Sequence, residues 1–80
     1  MKISILAFGI VKEIFRGSIS ELELDDVATV GVLKTTLEEK YPRLKQLASY
    51  MVAVNNEYAE AGQPITSKDE IAIIPPVSGG

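Results

Sequence analysis

Eighty residues carry eight basic and eleven acidic side chains, a formal charge of −3, no cysteine and no histidine. That length fits one small domain and no second core, and the composition excludes disulfides, thiolate chemistry and imidazole catalysis. The acidic balance, with a pI near 4.8, argues against nucleic acid or an anionic membrane as a partner, since both require massed basic residues.

Lys2-Ile3-Ser4-Ile5 alternates with period two, and Leu6-Ala7-Phe8 continues it as a strand expected to be buried on both faces. The apolar run from Ile3 to Val11 is too short to span a bilayer, and no small-x-small cleavage pattern follows it as in a secretory leader. It is closed by Lys12, Glu13 and Arg16, so the chain is expected in the cytoplasm. Gly9 permits a bend or bulge, and residues 12–17 read as a connection with Gly17-Ser18 as its turn. Glu21-Leu22-Glu23-Leu24 alternates as a second strand with one wet face, ended by Asp25-Asp26.

Thr29 is the expected N-cap of a helix. Val30, Leu33, Leu37 and Tyr41 then fall at i, i+3, i+7 and i+11, one apolar stripe. Gly31 is a weak helix residue, and Pro42 stops the helix at Tyr41. Leu44 and Leu47 suggest a short further turn over the core. Met51–Val54 is the third strand, Asn55-Asn56 a turn of two residues that tolerate positive φ, and 57–59 a brief edge strand. Ser67-Lys68-Asp69 is a turn before the last strand, Glu70–Ile74, which Pro75-Pro76 ends because neither can donate an amide hydrogen.

The order β-β-α-β-(β)-β predicts an α+β domain over residues 1–76. It is of the β-grasp, ubiquitin-like kind: a mixed four- to five-stranded sheet wrapped around one main helix, the two terminal strands in its middle. Residues 77–80 form a flexible Gly-Gly tail. The positive mean hydropathy, +0.17, is unusual for so small a body and is met either by a well-filled core or by an apolar patch kept for a partner. Leu6, Phe8, Met51 and Ile74 are the candidates for such a patch, with ordinary sheet packing as the alternative. Glu21, Glu23, Asp25 and Asp26 read as a solvated face rather than a metal site, and Lys40, Arg43 and Lys45 as helix-end charges.

The tail reads either as a frayed end, which glycine suits, or as the part that carries the chemistry. At a glycine frequency of about 7%, a Gly-Gly terminus arises by chance in roughly one chain in two hundred. Four residues beyond Pro76 extend at most about 13–14 Å, enough to carry a carboxylate into another protein's cleft. Glycine lets a narrow channel close around the backbone, and Pro75-Pro76 stiffens the exit.

Phe8-Gly9, Lys12-Glu13, Gly17, Thr29-Val30, Ala53-Val54-Asn55, Asp69-Glu70-Ile71-Ala72 and above all Pro75-Pro76-Val77-Ser78-Gly79-Gly80 resemble the small, sulfur-carrier subunits of molybdopterin synthase. Lys12 departs from the arginine frequent in that family, and Ser67-Lys68-Asp69 from its glycine-containing turn. The resemblance implies a carrier subunit in molybdenum cofactor biosynthesis that is no enzyme by itself but the sulfur-donating part of a transferase complex. Its Gly80 carboxylate would be adenylated by a ubiquitin-activating-like adenylyltransferase that uses ATP and Mg²⁺, then converted to a thiocarboxylate. The tail, Pro75, Pro76, Val77, Ser78 and Gly79, would insert into the large synthase subunit of a heterotetramer, and no cofactor would be held stably. Two alternatives stay open: a β-grasp carrier or modifier for thiamin, tRNA thiolation or protein conjugation, and a ubiquitin-like interaction module whose Gly-Gly is incidental.

Overall fold

In the computed structural model, which describes residues 1–47 and 49–76, five strands form one sheet in the order β2-β1-β5-β3-β4. The elements are β1 (Lys2–Ala7), α1 (Ile10–Phe15), β2 (Ile19–Glu23), α2 (Val30–Lys40), a 3-10 helix (Pro42–Gln46), β3 (Met51–Val54), β4 (Glu57–Tyr58) and β5 (Ile71–Ile74). β1 and β5 pair in parallel and the other neighbours are antiparallel. This is the mixed β-grasp sheet that the element order predicts, with the two terminal strands side by side and β5 at the centre.

All helices lie on one face of the sheet. Val30, Leu33 and Leu37 of α2 are buried against Ile3, Ile5, Ala7, Ile71, Ile73, Val52 and Val54, each large side chain contributing about 1.5–3 kcal/mol by leaving water. The start of α2 follows the reading at Thr29, whose hydroxyl accepts from Val32 N–H at 3.4 Å. Gly31 has its reason in packing rather than helix propensity. Its amide donates to the Ala61 carbonyl at 2.8 Å, Val30 N–H donates to the Gln63 carbonyl at 2.9 Å, and a Cβ on Gly31 would sit 3.2 Å from the Ala61 oxygen. The 61–63 loop therefore takes up the first free amides of the helix. Tyr41 closes the other end, its amide donating to the Leu37 carbonyl at 2.7 Å. Its ring stacks on Phe15 at 4.5 Å, and its hydroxyl meets Ser20 Oγ at 2.7 Å, which satisfies the one polar side chain buried among the described residues.

Several expectations are corrected. The stretch read as a connection holds a helix, α1, because Ile10, Val11, Ile14 and Phe15 repeat at helical spacing and Val11, Ile14 and Phe15 turn inward. Its turn is made by Arg16, at φ 61°, rather than by Gly17. β2 begins earlier, at Ile19, and ends at Glu23. The first strand is not buried on both faces: Leu6 is half-buried and Phe8, beyond the strand end, is 45% exposed, because none of the described residues forms a layer over the sheet opposite the helices. The Asn55-Asn56 turn is as read, with φ of 54° and 70°, a geometry matched to the twist of a hairpin.

One polar clasp joins α2 to Tyr50, the residue ahead of β3. The Tyr50 hydroxyl donates to Glu38 Oε2, and Lys34 Nζ lies 4.9 Å from the centre of the Tyr50 ring. Burial first, then the Glu38 hydrogen bond and charge, push the Tyr50 phenol well above its ordinary value. A proton held more tightly in the folded state stabilises fully below the unfolded pKa of about 10. That contribution is lost as pH climbs from there toward the folded value. Melting temperature measured from pH 8 upward is expected to fall less steeply above about pH 10 in Tyr50→Phe than in the unaltered chain. At neutral pH the substitution costs about 1 kcal/mol for the lost hydrogen bond.

Candidate functional site

The pleat and register of the sheet decide what its uncovered face presents. Alternate residues point inward, so Ile5, Ala7, Ile71, Ile73, Val52 and Val54 enter the core while their neighbours face out. The pairings Leu6↔Ile19, Leu6↔Ala72, Ala53↔Ala72 and Ala53↔Tyr58 then line up Ile19, Leu6, Ala72, Ala53 and Tyr58 as one apolar row across all five strands. A second row follows toward the end of β5. Met51 pairs with Ile74, and the parallel register Ala7↔Ile73 continued by one residue sets Phe8 beside Ile74.

The four residues singled out in the sequence, Leu6, Phe8, Met51 and Ile74, thus share one face and flank the point where the chain leaves the sheet. Ile19 and Tyr58, 58% and 67% exposed, with Ala53 and Ala72, belong to the same face and escape sequence reading. Cross-strand register reveals them, and a single-chain pattern carries no register. At its other end the face turns polar, with Lys2, Ser4, Glu21 and Glu23 pairing across β1 and β2. A shallow groove of about 250 Å³ runs over it between Leu6, Phe8, Tyr58 and Ile74. This is below the range of about 300–1,000 Å³ usual for small-molecule pockets. It suits a protein surface better than a metabolite.

The chain exit is fixed on both sides. Pro75 is half-buried and Pro76 exposed. Pro75 packs on the β1–α1 turn, where Gly9 takes φ 57° and ψ −132°. Val77, Ser78, Gly79 and Gly80 lie outside the described residues.

The loop before β5 is held by side chains. Asn55 Nδ2 donates to Asp69 Oδ1 at 3.0 Å, Glu70 N–H to Asn55 Oδ1 at 2.9 Å and Thr66 N–H to Asp69 Oδ2 at 2.8 Å. These donors, Asn55 first, hold the Asp69 carboxyl below the usual carboxylate range. The turn read at Ser67-Lys68-Asp69 is closed by Asp69 N–H donating to the Thr66 carbonyl at 3.1 Å. It therefore anchors the strand that delivers the tail.

The remaining candidates sit apart from this face. Glu23 and Asp26 approach the Met1 ammonium at 3.6 and 3.2 Å, and no group of three or more potential metal-ligating residues occurs among the described residues. Lys40, in the last turn of α2, donates to the Glu21 carbonyl at 3.1 Å, while Arg43 and Lys45 lie in the last turn of the 3-10 helix. No helix among the described residues is long and apolar enough to cross a membrane.

A family model, ThiS family, matches residues 5–80, so the match runs through the whole of the proline and glycine tail. The molybdopterin synthase sulfur carrier subunit of Dictyostelium discoideum is 43% identical over 81 residues, covering 95% of this chain and 93% of that protein. The subunit of the same name from Mycobacterium tuberculosis is 35% identical, covering 100% and 99%. Among solved structures, SAMP1 of Haloferax volcanii superposes with a TM-score of 0.85 at 27% identity over 100% of both chains.

Proposed function

The chain belongs to the ThiS family, and from that membership we propose that it is the sulfur-carrier subunit of a molybdopterin synthase. The observation that supports this most directly is the position of the uncovered apolar face. It adjoins the exit of the Pro75-Pro76 segment, so one partner can hold the body by that face while receiving the tail. Curated relatives that match along nearly their whole length carry the same subunit name.

The reacting group is the Gly80 carboxylate. A carboxylate is a poor electrophile because its charge is delocalised and its oxygen leaves badly. An adenylating partner with ATP and Mg²⁺ corrects this: a carboxylate oxygen attacks the α-phosphorus, pyrophosphate leaves, and an acyl-adenylate forms. A sulfur nucleophile adds at the carbonyl carbon and expels AMP, and the Gly80 terminus is left as a thiocarboxylate. In the synthase that sulfur attacks a side-chain carbon of the pterin precursor and displaces an oxygen substituent, water cleaves the resulting thioester to leave the sulfur on the pterin and restore the carboxylate, and two carriers serve each dithiolene. The large subunit supplies general base and substrate pocket, consistent with a chain that has neither histidine nor cysteine. The assembly is a heterotetramer, and the carrier holds no cofactor of its own. Binding by body plus tail is sound energetically, since ordering each tail residue costs about 1–2 kcal/mol and burial of the apolar face offsets it.

Incubation with ATP, the cognate adenylating enzyme and a sulfur source, followed by intact-mass measurement, tests the reading. The expected product has one terminal oxygen replaced by sulfur, and its absence with an enzyme active on another carrier would overturn the assignment. The likeness to SAMP1, a small archaeal modifier protein, favours one second reading, attachment of the same activated glycine to protein lysines. Gly80–lysine isopeptides in a digest of cells that express the chain, without co-purification of a large synthase subunit, would select that reading instead.

A further inference from the structure

β1 and β5 run in parallel and leave the sheet together, so the segment after β1 and the segment after β5 continue side by side. The register that pairs Ala7 with Ile73 brings Gly9 to Pro75. A Cβ built on Gly9 would stand 3.0 Å from Pro75 Cγ, closer than carbon atoms pack without displacement. Gly9 also adopts φ 57°, ψ −132°, the mirror image of an extended conformation and accessible almost solely to glycine. The turn that holds Gly9 is pinned independently of Pro75. Val11 N–H donates to the Phe8 carbonyl at 3.0 Å, Lys12 N–H to the Gly9 carbonyl at 3.1 Å and Ala7 N–H to the Ser18 carbonyl at 2.8 Å. A rigid turn with no side chain therefore meets a rigid ring at the root of the tail.

We propose that Gly9 is a positioning residue for the tail: it seats the Pro75 ring against the β1–α1 turn and so sets the direction in which the last residues leave the body. This rests on the carrier reading above. It adds a specific requirement, that a residue remote in sequence from Gly80 governs how readily the terminus enters a partner's cleft. Neither residue touches the reacting atoms.

The test compares Gly9→Ala, Pro75→Ala and the double variant in ATP-dependent sulfur loading by the cognate adenylating enzyme. Folding of each is checked by its amide NMR spectrum. Pro75→Ala removes the ring contact and leaves the Gly9 backbone unstrained, so it informs even where Gly9→Ala unfolds the turn. Either single variant is expected to raise KM about tenfold, of the order set by one more residue to be ordered on docking, with kcat nearly unchanged. The double variant is expected to be no worse than the poorer single one, because both act through one contact. A melting temperature that falls while KM stays put would overturn the proposal, leaving Gly9 a purely structural residue. KM effects that multiply in the double variant would overturn it as well. An unaltered chain that is never loaded would overturn the carrier reading itself, and with it any guide for the tail.

Discussion

Removal of Gly79 and Gly80 is expected to abolish sulfur loading and transfer while leaving the folded body unchanged. Among the described residues the buried core reaches no further along the chain than Ile73, and the two glycines have no side chain to bury, so the melting temperature should move by no more than a surface substitution moves it. The loss of activity should be at least about 10³-fold, as for other reactions deprived of the reacting group. One residue added after Gly80 should be as damaging, because it carries the carboxylate about 3.3–3.6 Å past the position a cleft is built to receive. A truncated chain that is still adenylated would place the reacting carboxylate elsewhere. A truncated chain that unfolds would show that the tail belongs to the body. Mass spectrometry of the loading reaction and a thermal melt decide both points.

Ala72→Arg is expected to have the second largest effect, on docking rather than chemistry. Ala72 lies on the central strand, in the middle of the row from Ile19 to Tyr58, where a partner must approach closely over a small side chain. A guanidinium there would be buried on binding without a designed partner, a penalty of the size found at interface hot spots, about 3 kcal/mol or roughly a hundredfold in affinity. The side chain points away from the core, so stability should change by about 0.5 kcal/mol or less. Calorimetry of the variant with the purified large subunit measures the first quantity, and a denaturant titration the second. Unchanged affinity would remove the open face from the interface.

The parts of this fold that local chemistry dictates were readable from the residues. Thr29 and Pro42 bracket α2 by capping and by ring geometry, Asn55-Asn56 makes its turn because both residues accept positive φ, and Pro75-Pro76 ends β5 for want of amide hydrogens. Longer-range features were not. The helix Ile10–Phe15 is hidden in the sequence because its apolar residues continue the run of β1, and only the turn at Gly9 separates the two. Gly31 looked like a defect, and its reason is a loop thirty residues further along. Leu6, Phe8, Met51 and Ile74 stand out in the sequence by apolarity in the strands that lead to the tail. Ile19 and Tyr58 join them only through strand register, which depends on pairing partners and not on neighbours in the chain. The seating of Pro75 on Gly9 is of the same kind, a contact between the segments that follow the first and last strands.

The central place of β5 bears on how the protein is made. Without residues 71–74 the sheet has no middle: β1 with β2 and β3 with β4 remain as two separate pairs, each too small to be stable in water alone. On the ribosome, therefore, the body cannot close until β5, which ends at Ile74, has emerged. A product that ends before Ile74 lacks the tail and the completed sheet alike. A chain that ends before β5 is therefore expected to be more open to proteolysis than one that ends after it.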